Sequence, residues 1–77
     1  MIDKAFAVVL RRLRIQKGLS QEEFGFEANL HRTYVSQLER GLKSPSLKTL
    51  HKISIVLEIS LTDLMALVEQ ESNVQSE

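Results

Sequence analysis

Residues 21–40 read Gln-Glu-Glu-Phe-Gly-Phe-Glu-Ala-Asn-Leu-His-Arg-Thr-Tyr-Val-Ser-Gln-Leu-Glu-Arg, and this stretch decides the fold. Ser20, just before it, and Glu23 form a capping box. Hydroxyl and carboxylate each satisfy a backbone amide that the first turn of a helix leaves without a partner. A short helix is therefore predicted from Gln21 to about Ala28. Asn29 tolerates the left-handed conformation that ends a helix abruptly. Leu30, Tyr34 and Leu38, with Val35, then recur at helical spacing and predict a second helix from about Arg32 to Glu39 or Arg40. Two short helices joined by so tight a turn must approach closely, which needs a small residue facing the turn. Gly25 is that residue, and Phe24, Ala28, Leu30, Val35 and Leu38 are the apolar groups that lock the pair onto a core.

Upstream, Phe6, Val9, Leu10 and Leu13 lie at i, i+3, i+4, i+7, one stripe of a helix running from about Asp3 to Lys17, with Gly18 as its stop. Downstream, Leu42-Lys-Ser-Pro45 is the clear loop. Pro45 or Ser46 opens a fourth helix whose core stripe is Leu47, Leu50, Ile53 and Leu57. Ser60-Leu-Thr-Asp63 repeats the cap pattern and starts a fifth helix at about Leu61. The expectation is an all-α fold, a compact five-helix bundle in one domain over 1–71, with 72–77 as a flexible polar tail. A chain of 77 residues has room for one core and not two.

The formal net charge is zero, but its distribution is uneven. Lys4, Arg11, Arg12, Arg14 and Lys17 against Asp3 make residues 1–20 a net +4, and residues 30–52 are likewise +4. Residues 21–29 are −3 and residues 53–77 are −5. A nucleic-acid partner requires a positive face, not a positive whole. With no cysteine there is neither a disulfide framework nor a thiolate metal site. Two histidines without carboxylates at ligand spacing speak against a metal site. No Ser/His/Asp grouping or glycine-rich phosphate loop points to an enzyme, so no catalytic residue, cofactor or small-molecule ligand is expected. Ala5 to Leu10 is too short for a membrane span and is followed by arginines rather than a cleavage site, so a cytoplasmic location and no membrane partner are expected.

Leu13-Arg14, Gly18-Leu-Ser-Gln-Glu-Glu-Phe24, Val35-Ser-Gln-Leu-Glu-Arg-Gly41, Pro45-Ser-Leu47 and Leu50 through Leu64 resemble the phage repressor and Cro (XRE) family of helix-turn-helix DNA-binding regulators. The likeness covers about residues 6–65. It departs from the usual pattern at Asn29, where Gly is usual, and at Gly25, where Ala is commoner. Within the family, His31-Arg-Thr-Tyr-Val-Ser36 with Glu39-Arg-Gly41 looks most like the controller proteins of restriction–modification systems. The resemblance implies a lambda-repressor-like domain that binds a double-stranded dyad operator as a homodimer. It also implies control of its own gene and of a restriction gene. An immunity repressor or antitoxin of a mobile element is the alternative of the same class. A protein-interaction module with this fold is the alternative of another class, and Arg32, Arg40 and Lys43 argue against it.

The segment around 30–40 would lie in the major groove. Arg32, at its first turn, is the type of side chain that meets guanine O6 and N7 with two parallel donors. Thr33 and Gln37, four apart, are the other base-reading candidates. Gln21 resembles the family's phosphate-binding glutamine beside a helix N-terminus. His31, Tyr34, Arg40, Lys43 and Ser44 are expected at the DNA backbone, positioning without specifying. His31 has capping as its other role, and Tyr34 packing against the core. Arg14 and Glu39 resemble the family's salt bridge between the first and third helices. Apolar side chains beyond the needs of one small core, namely Ile55, Met65, Leu67 and Val68, are assigned to the dimer interface.

Overall fold

The computed structural model describes residues 1–76. Five helices follow one another: α1 Ile2–Gln16, α2 Gln21–Ala28, α3 Arg32–Glu39, α4 Leu47–Leu57 and α5 Leu61–Gln75. No strand occurs among the described residues, and no helix among them is long and apolar enough to cross a membrane. α1 lies against α5 and α3, while α2 bridges α3 and α4, in a body of 35 × 23 × 23 Å.

The starts of α2, α3, α4 and α5 are each fixed by a side chain that the sequence places there, whereas α1 begins at Met1 with no side-chain cap. The Ser20 hydroxyl accepts from the Glu23 amide at 3.0 Å, and the Glu23 carboxylate accepts from the Ser20 amide at 2.8 Å. The Ser20 amide holds the Glu23 carboxyl below the usual glutamate range. That contribution to stability is present above the ordinary glutamate pKa and is lost as the pH falls through the lowered one. Ser46 and Ser60 cap α4 and α5 through the amides of Thr49 and Asp63. His31 caps α3, its Nδ1 accepting from the Thr33 amide at 3.0 Å.

The α2–α3 turn carries the sharpest constraint. Asn29 takes φ 56° and ψ 46°, and the Leu30 amide returns to the Gly25 carbonyl at 2.7 Å, the six-to-one bond of a left-handed helix stop. A Cβ on Gly25 would lie 2.5 Å from the Leu30 carbonyl oxygen. Alanine would gain about 1 kcal/mol in helix propensity, but it would force backbone apart, and overpacking costs roughly 1–3 kcal/mol. Gly25→Ala is therefore expected to lower the melting temperature, and a rise would show that the turn relaxes freely.

Phe6, Val9, Leu10, Phe24, Val35, Leu38, Ile53 and Leu64 form the centre of the core, each 3% exposed or less. Three expectations are corrected at its edge. Leu47, read as core, is 73% exposed: it is the first residue of α4, and the core contact of that helix begins only at Leu50 and continues through Ile53 and Leu57. Val68, assigned to a dimer interface, is 2% exposed and belongs to the core. Residues 72–75, read as tail, continue α5, which lies along α1 with Arg12 reaching Glu71 at 3.7 Å. Glu77 lies outside the described residues.

The remaining proposed interface residues do not share a face. Met65 and Leu67 are half-buried against the core, but two positions on a helix lie about 200° apart. Ile55 is 61% exposed and borders Lys52 and Val56, away from Met65. The contiguous apolar groove near Met65 is instead lined by Ile2, Phe6, Pro45, Leu50 and Val68.

Candidate nucleic-acid interface

α3 buries Val35 and Leu38 and rests the half-buried Tyr34 on the core, which turns its other side outward. Arg32, Thr33 and Arg40 are exposed, and Gln37 is partly so. Thr33 and Gln37 stack one turn apart on the outward side. Ser36, which the sequence reading passed over, falls midway between Arg32 and Arg40 at i, i+4, i+8 and is also partly exposed. The periodicity already contained that position; a small hydroxyl simply carries less signal than a charge.

One charged network fixes how α3 is presented. Arg14 Nε and Nη2 donate to Glu39 Oε2 and Oε1 at 2.6 and 2.9 Å, a bidentate pair across α1 and α3. The two side chains are only 10% and 2% exposed. The third guanidinium donor, Nη1, meets the Leu19 carbonyl at 2.7 Å, at the entry to α2. Gln21 Nε2 donates to Glu39 Oε1 at 3.1 Å. The hydrogen bonds that Arg14 donates to Glu39 raise the Arg14 pKa further still, so the guanidinium is charged wherever the fold exists. Gln21 therefore has a role that its assignment as a phosphate ligand omitted: it ties α2 to the same carboxylate. Its amide keeps a second hydrogen that is free to donate.

Basic groups surround the outward side of α3. Arg40 stands at its C-terminal cap, and Lys43 and Ser44 follow in an exposed loop. Ser44 donates to Asp3 Oδ1, which ties this loop to the start of α1. Arg32 Nη1 lies 3.6 Å from Glu22 Oε2, with both side chains well exposed, a weak contact that water and salt screen. The guanidinium is thus held near the first turn of α3 but is not committed there. His31 spends Nδ1 on its cap and presents its other ring nitrogen outward from an exposed position. Among the described residues no group of three or more His, Cys, Asp or Glu could hold a metal ion.

Known proteins share this fold. Residues 10–64 match the family described as Helix-turn-helix. The chain is 43% identical over 61 residues to Control protein C.BamHI of Bacillus amyloliquefaciens, covering 78% of this chain and 75% of the relative. It is 43% identical over 67 residues to Control protein C.MunI of a Mycoplasma species, covering 86% and 90%. Among solved structures, the Restriction-Modification Controller Protein C.Esp1396I superposes with a TM-score of 0.83 at 30% identity, covering 92% of each chain. A second structure shows that controller as a tetramer in complex with its natural 35 base-pair operator, again at TM-score 0.83. The regulator ClgR of Corynebacterium glutamicum superposes at 0.92 with 26% identity, over 99% of this chain and 81% of that one. With its matched segment spanning the motif and most of the bundle, the chain belongs to the helix-turn-helix family of the restriction–modification controller proteins.

Proposed function

We infer that this protein is a sequence-specific DNA-binding regulator of transcription that seats α3 in the major groove and acts as two copies on a dyad operator. The observation that carries the reading is the outward side of α3: Arg32, Thr33, Ser36, Gln37 and Arg40 on a helix held from behind by the Arg14–Glu39–Gln21 network. A reading helix must be polar, projecting and rigid, because a bidentate base contact loses its value when its register wanders. Arg32, Thr33 and Gln37 take the base edges. Gln21, His31, Tyr34, Arg40, Lys43 and Ser44 take the backbone. The likeness to C.BamHI, C.MunI and C.Esp1396I supports control of a restriction–modification operon, including the regulator's own gene.

One helix in one groove reads too few bases for a usable operator, and a dyad pair reads two half-sites about one helical turn apart, roughly 34 Å. The surface best suited to the dyad is the groove of Ile2, Leu50 and Met65. Met65→Glu is expected to give a monomer by sedimentation at micromolar concentration, with some loss of melting temperature because Met65 also packs against the core. A dimer that survives the substitution would place the interface elsewhere.

The DNA assignment is tested by salt titration on an operator enriched from random duplexes. Each neutralised phosphate adds about −0.9 to the slope of log affinity against log salt. Lys43→Ala is expected to weaken operator and random duplex alike and to make the slope shallower. An unchanged slope would remove Lys43 from the interface.

A further inference from the structure

The loop between α3 and α4 carries Lys43, yet the loop does little to hold itself. The Gly41 amide bonds to the Leu38 carbonyl and the Leu42 amide to the Gln37 carbonyl, so the chain is anchored to α3 as far as Leu42. It is anchored again at Ser46, whose hydroxyl caps α4. Lys43, Ser44 and Pro45 lie between these points. Proline has no amide hydrogen, and the amides of Lys43 and Ser44 have no hydrogen-bond partner among the described residues. What ties the segment down is the Ser44 hydroxyl, which donates to Asp3 Oδ1 at 2.5 Å across 41 positions of sequence.

The first turn of α1 receives the loop closely. Gly41 takes φ 72°, and a Cβ there would lie 3.3 Å from Lys4 Cγ and 3.8 Å from the Asp3 carbonyl oxygen. The chain therefore leaves α3 against Lys4 and Asp3 before it reaches Lys43. An acid at this place has a cost for DNA binding. A phosphate drawn to Lys43 meets the Asp3 carboxylate close by, and like charges repel. The arrangement also takes a donor away: Ser44 has one hydroxyl hydrogen, and Asp3 accepts it. Any phosphate contact of Ser44 then falls to its free amide. Against these costs stands a single gain. A loop and a long lysine side chain that are ordered only on binding weaken the complex, and a loop held in advance avoids that loss. Asp3 also stands in the first turn of α1, where a negative charge suits the helix dipole. That role concerns stability alone, so experiment can separate the two.

We propose that Asp3 is a positioning residue for DNA binding: through the Ser44 hydroxyl it holds segment 43–45 so that Lys43 and the two free amides meet the DNA backbone together. The proposal rests on the DNA-binding reading above. The experiment measures affinity for the enriched operator across a salt titration, with the melting temperature and sedimentation of each variant. Asp3→Ala removes a negative charge beside a polyanion, so electrostatics alone would tighten binding. The expected result has the opposite sign: binding roughly threefold to tenfold weaker, with a shallower salt slope as Lys43 loses its contact. Asp3→Asn restores an acceptor for Ser44 without the charge and is expected to bind at least as tightly as the wild type. Ser44→Ala leaves the charge at the start of α1 in place. It is expected to match the affinity loss of Asp3→Ala at wild-type melting temperature, and the double variant to lose no more than either single one. Unchanged or tighter binding in Asp3→Ala would overturn the proposal, as would losses that add in the double variant. A shift to monomer in Ser44→Ala would also overturn it, since the bond would then serve the dyad groove that both residues line. A wild-type protein that binds no operator would instead contradict the DNA-binding reading itself.

Discussion

Glu39→Ala is expected to lower the melting temperature by more than 10 °C and to weaken operator binding in the same variant. Removing one partner of a buried ion pair costs about 3–5 kcal/mol, because the remaining charge keeps its desolvation and loses its compensation. The pair here is bidentate, with side chains 10% and 2% exposed, so little of that cost is recovered by water. A chain of this length has a total stability of roughly 4–12 kcal/mol, and each kilocalorie shifts melting by about 4–8 °C. Two neighbouring bonds suffer as well. Gln21 loses the acceptor for its amide, and Arg14 is left with the Leu19 carbonyl alone. Since the three residues come from α1, α2 and α3, the loss loosens the presentation of the reading helix rather than any contact with DNA. Glu39→Gln, which keeps one carbonyl acceptor, is expected to fall between the two. Unchanged melting in both variants would reduce the pair to a surface contact.

The second large effect belongs to Arg32, and it should leave the fold untouched. Its side chain is exposed and its contact with Glu22 is 3.6 Å long, so truncation removes almost no folded-state energy. On DNA the loss is expected to be roughly 1–3 kcal/mol at each half-site, concentrated on one base pair. In a dyad complex the two losses combine, which collapses discrimination between operator and random duplex. The contrast with Lys43→Ala is diagnostic, because a phosphate contact weakens every sequence by the same factor. If Arg32→Ala keeps the wild-type ratio of operator to random binding, another residue reads the bases.

The sequence made the helices legible because their ends are written in local chemistry. Ser20 with Glu23, Asn29, Ser46 and Ser60 act within a turn of themselves, and the structure uses each where it stands. The Arg14–Glu39 geometry was reachable only through family likeness, since residues 25 apart have no local relation. What local reading missed depends on how helices are rotated in the bundle. Val68 and Leu47 are both apolar residues on helices, and only the packing of those helices in the bundle puts one inside and the other out. The length of α5 is likewise set by α1 beside it, not by its polar last turn. Gly25 shows the same limit. Helix propensity marks it as a weakness, whereas the approach of the Leu30 carbonyl makes it a requirement.

Selection of bound duplexes from a random pool tests the central claim, that two copies of α3 read DNA across a dyad, most directly. The account predicts an enriched inverted repeat whose half-site centres lie about 34 Å apart, one helical turn. It also predicts that Arg32→Ala loses one base pair from each half of that repeat. A pool without enrichment would contradict it, and so would an enriched site with no internal symmetry.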